Sequence, residues 1–393
     1  MRKSALFLLG LVVTALVALG LVVLSSASEA NALRIYGSPH FFMVRQCEFL
    51  GAGVFVAAVA ALFDYHRWRD QWVLAALFYF TVFALLWAVF LFPEVKGAHR
   101  WIVVGPLRLQ PGEFAKLAVV IALGVWLDKA AWRVELFGRG AFWPSAIIGV
   151  IALPVLLEPD FGSVVVIGAA GVMLMFVAGT RVLHLLPFIV SGLVIVGVKL
   201  AFNKNRIRRL AGYFGSHSAD AVSSGAAAVT EMDPAAYQAY QSRVAIQNGN
   251  FLGVGFGESM QKHLYLPEAH TDFIFAVGAE ELGLGFTVAV IVLFAAFFAL
   301  SVYIARMATD RLGRFLVLGM AFLVFFQAMV NLGVVCEALP TKGMALPFFS
   351  YGGTNLLSTF FAVGTILSVG IHASGDKKKH LAHRVRMGKG RDC

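Results

Sequence analysis

The chain has 393 residues, of which 59% are hydrophobic and only 14% are charged. A soluble globular domain carries about 25% charged residues, so the composition excludes an ordinary soluble protein and predicts an all-α polytopic membrane protein. The formal net charge is +10, and the positions of the basic residues relative to the apolar runs predict the orientation in the membrane.

Helical spans account for most of the chain. An apolar run of about 18 residues or more can cross a bilayer as a helix, and the chain contains about ten such runs. They lie near residues 5–27, 40–63, 71–92, 113–131, 142–158, 161–179, 182–202, 273–305, 315–336 and 354–373. The fifth run is short, which predicts a tilted, kinked or partly re-entrant segment. No internal repeat is visible, so the sequence does not indicate a transporter built from inverted halves.

Lys and Arg residues predict which ends of the spans face the cytoplasm. An even number of spans places both termini on one side, where most basic residues lie, including those of a tail at residues 377–393. The short loops of the opposite side contain only Arg34, Lys96, Arg100, Arg108 and Lys342. Both termini are therefore predicted to be cytoplasmic. The transmembrane domain, residues 1–376, would carry a large extracytoplasmic loop at 203–271, between spans seven and eight.

The N-terminus imitates a secretory signal, with Arg2 and Lys3 before an apolar run that ends in small residues. That run is longer than the apolar region of a typical signal peptide, so it is predicted to remain as the first helix. The three cysteines, Cys47, Cys336 and Cys393, show neither a disulfide framework nor metal-ligand spacing.

Charged residues inside the second and fourth spans are costly in lipid, so they are expected to face protein or water. Arg45 lies near the start of span two, and two interpretations stay open: its side chain snorkels to the outer surface, or it lines a cavity. Glu113 and Lys116 begin span four three residues apart, so they share a helix face and can pair. The pair either fixes the helix or contributes to a polar site.

Asp160 lies in the outside turn between spans five and six. Pro159 and Gly162 explain that turn by backbone chemistry alone. Asp160 would cap the following helix in a structural interpretation and would meet substrate in a functional one.

The outside loop is too long to be a mere connection. It opens with a basic cluster, Lys204, Arg206, Arg208 and Arg209. Such a cluster suits lipid headgroups, and it equally suits a diphosphate, which arginine binds through two parallel hydrogen bonds.

A second part of this loop is predicted to be helical. Pro234 marks a helix start and Gly249 its end, and the apolar residues between them lie on one face, which suits the membrane interface. The segment Gly253–Gly257 lacks the strand and second helix of a dinucleotide-binding unit and is interpreted as a flexible hinge.

The stretch Tyr265–Ala276 closes the loop and opens span eight. It places Asp272 at the membrane boundary, where a carboxylate is accessible to water and is held in place by the start of a helix. Asp272 is therefore the first candidate for the active residue. Deeper in the span, Glu280 and Glu281 must be neutral or paired. The candidate cations for that pairing are Arg45 and Lys116.

The last outside loop, Glu337–Asn355, contains two prolines, several glycines and Lys342. Such irregular backbone is tolerated at membrane depth only where it is buried in protein or lines a wet cavity. Gln327 and Asn331, one turn apart in span nine, place polar groups beneath this loop.

Together these motifs resemble the SEDS family (shape, elongation, division and sporulation), whose members polymerise peptidoglycan. The resemblance is carried by Arg100–Ile102, Gln110–Glu113, Pro159–Gly162, Arg206–Arg209, Tyr265–Ala276, Glu280–Gly283, Pro340–Gly343 and Ser350–Gly353. These motifs follow the family's order over most of the chain. Leu266–His270 and Pro340–Gly343 are more similar to the division members than to the elongation members. Gly112, in place of the usual Ser, and Thr354-Asn355, in place of Ser-Ser, put local hydrogen bonds in doubt.

The resemblance implies a glycosyltransferase for lipid II, an undecaprenyl diphosphate-linked disaccharide-pentapeptide, at the outer face of the cytoplasmic membrane in septal wall synthesis. It assigns Asp272 as the general base for the attacking sugar hydroxyl, a role that contributes about 10²–10⁴-fold. The residues that would hold the substrate are charged or polar groups, with Arg100 and Lys342 preferred for the diphosphate. They are Arg100, Lys342, Arg206, Arg208, Arg209, Lys262, Lys116, Glu113, Asp160 and Ser350.

A class B penicillin-binding protein, which is a transpeptidase, and other division proteins are the implied partners, and no nucleic acid is expected. Two alternatives remain open. A flippase for the lipid-linked precursor would need a polar path to the cytoplasmic leaflet, although the polar motifs crowd the outer half. A scaffold would only recruit the transpeptidase. No cofactor is identified with certainty, and a role for a divalent cation stays open.

Overall fold

The computed structural model of the protein describes residues 2–95, 97–105, 107–158, 160–201, 234–262, 266–339 and 343–373. Four residues proposed for substrate binding, Arg206, Arg208, Arg209 and Lys342, lie outside the described residues, as does the basic tail at 377–393.

The described chain is mostly helical and contains one short antiparallel hairpin. Its elements are α1 (Arg2–Tyr36), α2 (Phe41–Leu62), α3 (Arg67–Asp70), α4 (Trp72–Ala88), β1 (Ile102–Val104), β2 (Leu107–Leu109), α5 (Pro111–Lys129), α6 (Trp143–Leu157), α7 (Phe161–Ala178), α8 (Val182–Ala201), α9 (Pro234–Gly249), α10 (Ile274–Met307), α11 (Arg311–Val335) and α12 (Gly353–His372). In the hairpin, Ile102 pairs with Leu109 and Val104 with Leu107.

The predicted spans coincide with helices, which confirms a helical membrane protein. Eight helices among the described residues are long and apolar enough to cross a bilayer. The two other predicted spans fall on α5 and α8, which are not among those eight, so the count of ten stays a prediction. The short fifth span begins with a π-helical turn at Phe137–Phe142 and contains Pro154. Both features are established causes of helix kinks.

Helices α11 and α12 form the centre of the bundle. Protein buries 78% of the apolar window of α12 and 67% of that of α11, against 22% for α2 and 28% for α4. Helix α2 packs along α12, and α1 along α10. Glycine permits the first of these contacts, because a Cβ at Gly364 would lie 2.5 Å from the carbonyl oxygen of Ala57. Small residues serve membrane helices in this way generally.

Helix α10 is broken at Gly283, whose φ of 71° lies in the left-handed region. The break leaves carbonyl groups of the preceding turn available to another segment. The amides of Val254 and Gly255 donate to the carbonyls of Glu280 (3.0 Å) and Glu281 (3.1 Å), and the amide of Leu284 donates to Asn250 (3.0 Å). The segment after α9 is therefore docked into the break of α10. The interpretation of Gly253–Gly257 as a flexible hinge is wrong, because these hydrogen bonds fix it.

Candidate active site

Asp272 lies in the turns that precede α10, and its side chain is half-buried. The loop after α11 packs directly against it: a Cβ built on Gly343 would lie 2.5 Å from Asp272 Oδ2. Helix α10 begins at Ile274, so Asp272 does not lie within that helix. The carboxylate instead occupies a junction between two loops.

Ser350 holds these two loops together. Its hydroxyl donates to the carbonyl of Thr271 at 2.5 Å and accepts from the amide of Leu346 at 2.7 Å. The amide of Tyr351 donates to the carbonyl of His270 at 3.1 Å. Ser350 is buried, so in this structure its hydroxyl orders the loops on either side of Asp272.

The predicted pair of Glu113 and Lys116 is confirmed. Lys116 Nζ lies 2.8 Å from Glu113 Oε1 and donates to Gln327 Oε1 at 2.6 Å, while Ser358 donates to Glu113 Oε2 at 3.1 Å. Gln327 donates in turn to the carbonyl of Ala345 at 2.9 Å. The cluster therefore lies beneath the same loop that contacts Asp272.

A small cavity of about 20 Å³ adjoins this cluster, with Glu113, Lys116, Gln327 and Pro347 in its lining. That is room for about one water molecule. Of the predicted site residues, Glu113 and Lys116 thus border one small pocket.

Arg100 and Asp160 lie on either side of Glu158. The Nε of Arg100 donates to the carbonyl of Glu158 at 3.0 Å. Asp160 caps α7, since its carboxylate accepts from the Ser163 amide at 3.3 Å and from the Ser163 hydroxyl at 2.7 Å. Gly112, at the start of α5, faces this cap, because a Cβ there would lie 3.9 Å from Asp160 Oδ2. The structural interpretation of Asp160 is confirmed, and its contact with substrate stays a prediction.

Glu158 follows α6 and is almost completely buried. Burial, and then the nearby charge of Asp160, raise the pKa of Glu158 to about 8, against the lowering effect of Arg100. Its Oε1 has no hydrogen-bond partner among the described residues. The neutral form is therefore the stable one near neutral pH, because a buried charge without a donor is costly.

Lys262 is buried in an ion pair far from any open surface. Its Nζ lies 3.3 Å from Glu281 Oε1, donates to Ser26 at 2.8 Å and donates to the carbonyl of Gly257 at 2.6 Å. The prediction that Arg45 or Lys116 would neutralise the two acids of α10 is wrong. Lys262 neutralises Glu281, and Glu280 accepts from the hydroxyl of Ser259 and from Asn248 at 3.4 Å. Lys262 is thus occupied inside the protein, which leaves its predicted contact with a diphosphate without structural support.

Three residues beside Asp272 were not predicted as site residues. The rings of Phe42 and His270 lie 4.7 Å apart, and those of Phe42 and Tyr351 lie 4.9 Å apart. Tyr351 also lies within electrostatic range of Arg45 and Arg108. His270 and Tyr351 lie within the motifs Tyr265–Ala276 and Ser350–Gly353, whereas Phe42 lies in none. Its contacts join α2 to loops more than two hundred residues away, which leave no periodic pattern in the sequence.

Metal binding was left open by the sequence. Among the described ranges, no group of three or more His, Cys, Asp or Glu side chains is placed to hold a metal ion. The side chains around Asp272 that the structure describes are instead hydrogen-bonding and aromatic groups.

Comparison with known proteins assigns the chain to a family. The family model for FtsW, RodA and SpoVE, described as cell cycle proteins, matches residues 6–375. The chain belongs to the FtsW/RodA/SpoVE family. This confirms the resemblance predicted from the motifs.

Relatives of this family member bear the name of the division protein. The chain is 37% identical over 369 residues to the probable peptidoglycan glycosyltransferase FtsW of Trichlorobacter lovleyi, covering 91% of each chain. It is 38% identical over 368 residues to the protein of the same name from Nitrosococcus halophilus, covering 93% of this chain and 91% of that one. The similarity to division members predicted from two motifs agrees with these names.

Solved structures extend this likeness to the fold. A chain from a peptidoglycan synthase complex, described as coordinating polymerization and crosslinking, matches with a TM-score of 0.73 and 27% identity, over 93% of this chain and 98% of that chain. The rod shape determining protein RodA of Thermus thermophilus matches with a TM-score of 0.65 and 27% identity, over 93% and 96%. The FtsW/RodA/SpoVE fold is thus shared along nearly the whole chain.

Proposed function

We propose that this family member is a peptidoglycan glycosyltransferase that polymerises lipid II at the outer face of the cytoplasmic membrane during septal wall synthesis. The observation that carries the proposal is the half-buried carboxylate of Asp272, held at the junction of two loops. The names of the FtsW relatives support the activity, and the basic-residue distribution supports the sidedness.

In the proposed reaction, Asp272 accepts the proton of the 4-hydroxyl of a terminal GlcNAc. The hydroxyl oxygen then forms a bond to C1 of the MurNAc of a second lipid-linked glycan. The bond between C1 and the diphosphate oxygen breaks, and the undecaprenyl diphosphate leaves with its electron pair. A sugar hydroxyl is a weak nucleophile, so a positioned base contributes about 10²–10⁴-fold.

The leaving diphosphate needs positive charge. Arg100 is the preferred cation for this role: a hydrogen bond from its Nε to the carbonyl of Glu158 places the guanidinium, and arginine binds phosphate oxygens through its planar group. Lys342 directly precedes Gly343, where an added Cβ would lie 2.5 Å from Asp272 Oδ2, and it remains the preferred second cation.

The proposal includes a transpeptidase partner of the class B penicillin-binding type. Its support is the similarity to a chain from a complex described as coordinating polymerization and crosslinking. Catalysis and partnership are compatible, so the purified chain should be assayed both alone and with such a partner.

The test is polymerisation of lipid II by the purified protein in detergent or liposomes, with glycan strands resolved by gel electrophoresis. Asp272→Asn keeps the size of the side chain and removes the base, so glycan synthesis should fall by at least about 10²-fold. Asp70→Asn, an exposed acid on the short helix α3, serves as the matched control and should polymerise normally.

Two results would contradict the proposal. A folded Asp272→Asn protein that polymerises at the wild-type rate would remove Asp272 as the base. Translocation of lipid II across liposomes without any polymer would favour the flippase instead.

A further inference from the structure

Asn331 of α11 joins the two loops that meet at Asp272. Its side chain is 1% exposed. The Nδ2 group donates to the backbone carbonyl of Asp272 at 2.8 Å and to that of Met344 at 2.6 Å. Both partners are acceptors, so only the NH₂ end of the amide can face them, and the orientation of the side chain follows from the chemistry.

The two carbonyls come from irregular backbone, where no helix supplies a donor. Buried backbone carbonyls of this kind need a partner from elsewhere. A single amide that serves both carbonyls fixes the spacing between the backbone at Asp272 and the backbone at Met344. A deeply buried residue of a central helix thus sets the geometry of a junction that lies above it.

Gly343 completes this arrangement, since it precedes Met344 and leaves no room for a side chain beside the Asp272 carboxylate. A methyl group added at Gly343 would lie 2.5 Å from Asp272 Oδ2 and 3.5 Å from its Cγ, and it would meet no other heavy atom of the described chain within 4 Å. Because Gly343 has no side chain, the Asp272 carboxylate can occupy this position.

We infer that Asn331 and Gly343 are positioning residues that hold the Asp272 carboxylate in one orientation, Asn331 through the backbone and Gly343 through steric contact. This inference rests on the proposed function, in which Asp272 is the base. It predicts that both residues can be changed with loss of turnover while the substrate still binds, because the inference gives neither residue a contact with lipid II.

The decisive variant is Gly343→Ala, which removes no side-chain hydrogen bond and places a methyl group against the Asp272 carboxylate. Turnover of lipid II should fall by about 10²-fold, the effect of a misplaced catalytic group, while KM stays within about twofold of the wild-type value. Gly352→Ala is the matched control in the same loop. Its added methyl would meet only Asn355 Cβ at an ordinary 3.8 Å, so turnover should stay unchanged.

Asn331→Leu tests the second residue with a side chain of similar size. Turnover should fall with little change in KM, and the acidic limb of the turnover–pH profile should shift, since the base then has a different environment. Ser242→Ala is the control. It removes another buried hydrogen bond, of 2.8 Å to the carbonyl of Val335 at the end of α11, and should move neither turnover nor the pH profile. Thermal unfolding establishes that each variant is folded.

The outcomes separate this inference from the proposed function. If folded Gly343→Ala turns over lipid II at the wild-type rate, the inference about positioning residues is wrong. The proposed function would still stand in that case, provided that Asp272→Asn is inactive. Equal losses in Gly343→Ala and Gly352→Ala would also overturn the inference, because the loop and not the carboxylate would then be responsible. Activity in Asp272→Asn would instead remove the proposed base itself. If Asn331→Leu does not fold, Gly343→Ala decides alone.

Discussion

At the scale of single residues, the protein keeps several ionisable groups away from water by two different means. Lys262 and Glu281 are both nearly inaccessible, with side chains 3% and 1% exposed, and they neutralise each other. For Glu158, burial outweighs the nearby charge of Arg100 and raises its pKa to about 8, which favours the protonated form.

Glu158 gives a prediction with a definite sign. Its pKa is about 8 in the folded protein against an ordinary 4.5, so the folded state binds the proton more tightly than the unfolded state does. The free energy of unfolding should therefore decrease as pH rises from about 4.5 to about 8 and level off above that. Glu158→Gln keeps the neutral shape and removes the titration.

The measurement is the thermal midpoint of the wild type and Glu158→Gln in nanodiscs between pH 5 and pH 9. The variant should gain stability relative to the wild type as pH increases to about 8, and its advantage should level off above that. Glu135→Gln, at an exposed acid, should show no such trend. If the thermal midpoints of Glu158→Gln and the wild type differ by the same amount at every pH in this range, then Glu158 has the same pKa in the folded and unfolded states.

At the scale of elements, the break in α10 and the docked segment depend on each other. Because the helical hydrogen bonds are interrupted at Gly283, the carbonyls of Glu280 and Glu281 need donors from another segment. The amides of residues 254 and 255 supply them. The backbone of the docked segment is in turn satisfied at a depth where water is scarce. Neither piece is stable in this form without the other.

Close approach of backbone makes Gly253 the sensitive position of this contact. A Cβ at Gly253 would lie 2.1 Å from the carbonyl oxygen of Glu281, whereas a Cβ at Gly257 would meet nothing within 4 Å. Both glycines have positive φ, 79° and 84°, so alanine introduces similar backbone strain at each. The two substitutions differ only in the collision with α10.

Gly253→Ala should therefore destabilise the protein by about 1–3 kcal/mol more than Gly257→Ala does, the usual cost of overpacking. Thermal unfolding measures the difference, and limited proteolysis shows whether the segment between α9 and α10 is released. Equal unfolding temperatures for the two variants would mean that the contact with α10 adds nothing to stability.

At the scale of the whole molecule, the sequence predicts what local rules determine and misses what distant contacts determine. The bounds of α9 were predicted because Pro234 and Gly249 mark a helix start and end, and the Glu113–Lys116 pair follows from helical spacing. The partner of Glu281 was missed, because Lys262 and Ser26 reach one site from positions 236 residues apart. The contact of Gly343 with Asp272 has the same origin, since it joins two loops that only the packing of α10 and α11 brings together.

The orientation of the molecule is the remaining global property, and its native cysteines can test it. Positive charge predicts a cytoplasmic C-terminus, which carries Cys393, and places the end of α11, with the exposed Cys336, on the opposite side. In a Cys47→Ala background, a membrane-impermeant maleimide added to intact cells should label Cys336 and spare Cys393, and permeabilised cells should show both labels. Labelling of Cys393 in intact cells would show that the orientation is the reverse of the predicted one. Asp272, which shares its end of the bundle with Cys336, would then lie in the cytoplasm and could not polymerise glycan at the outer face.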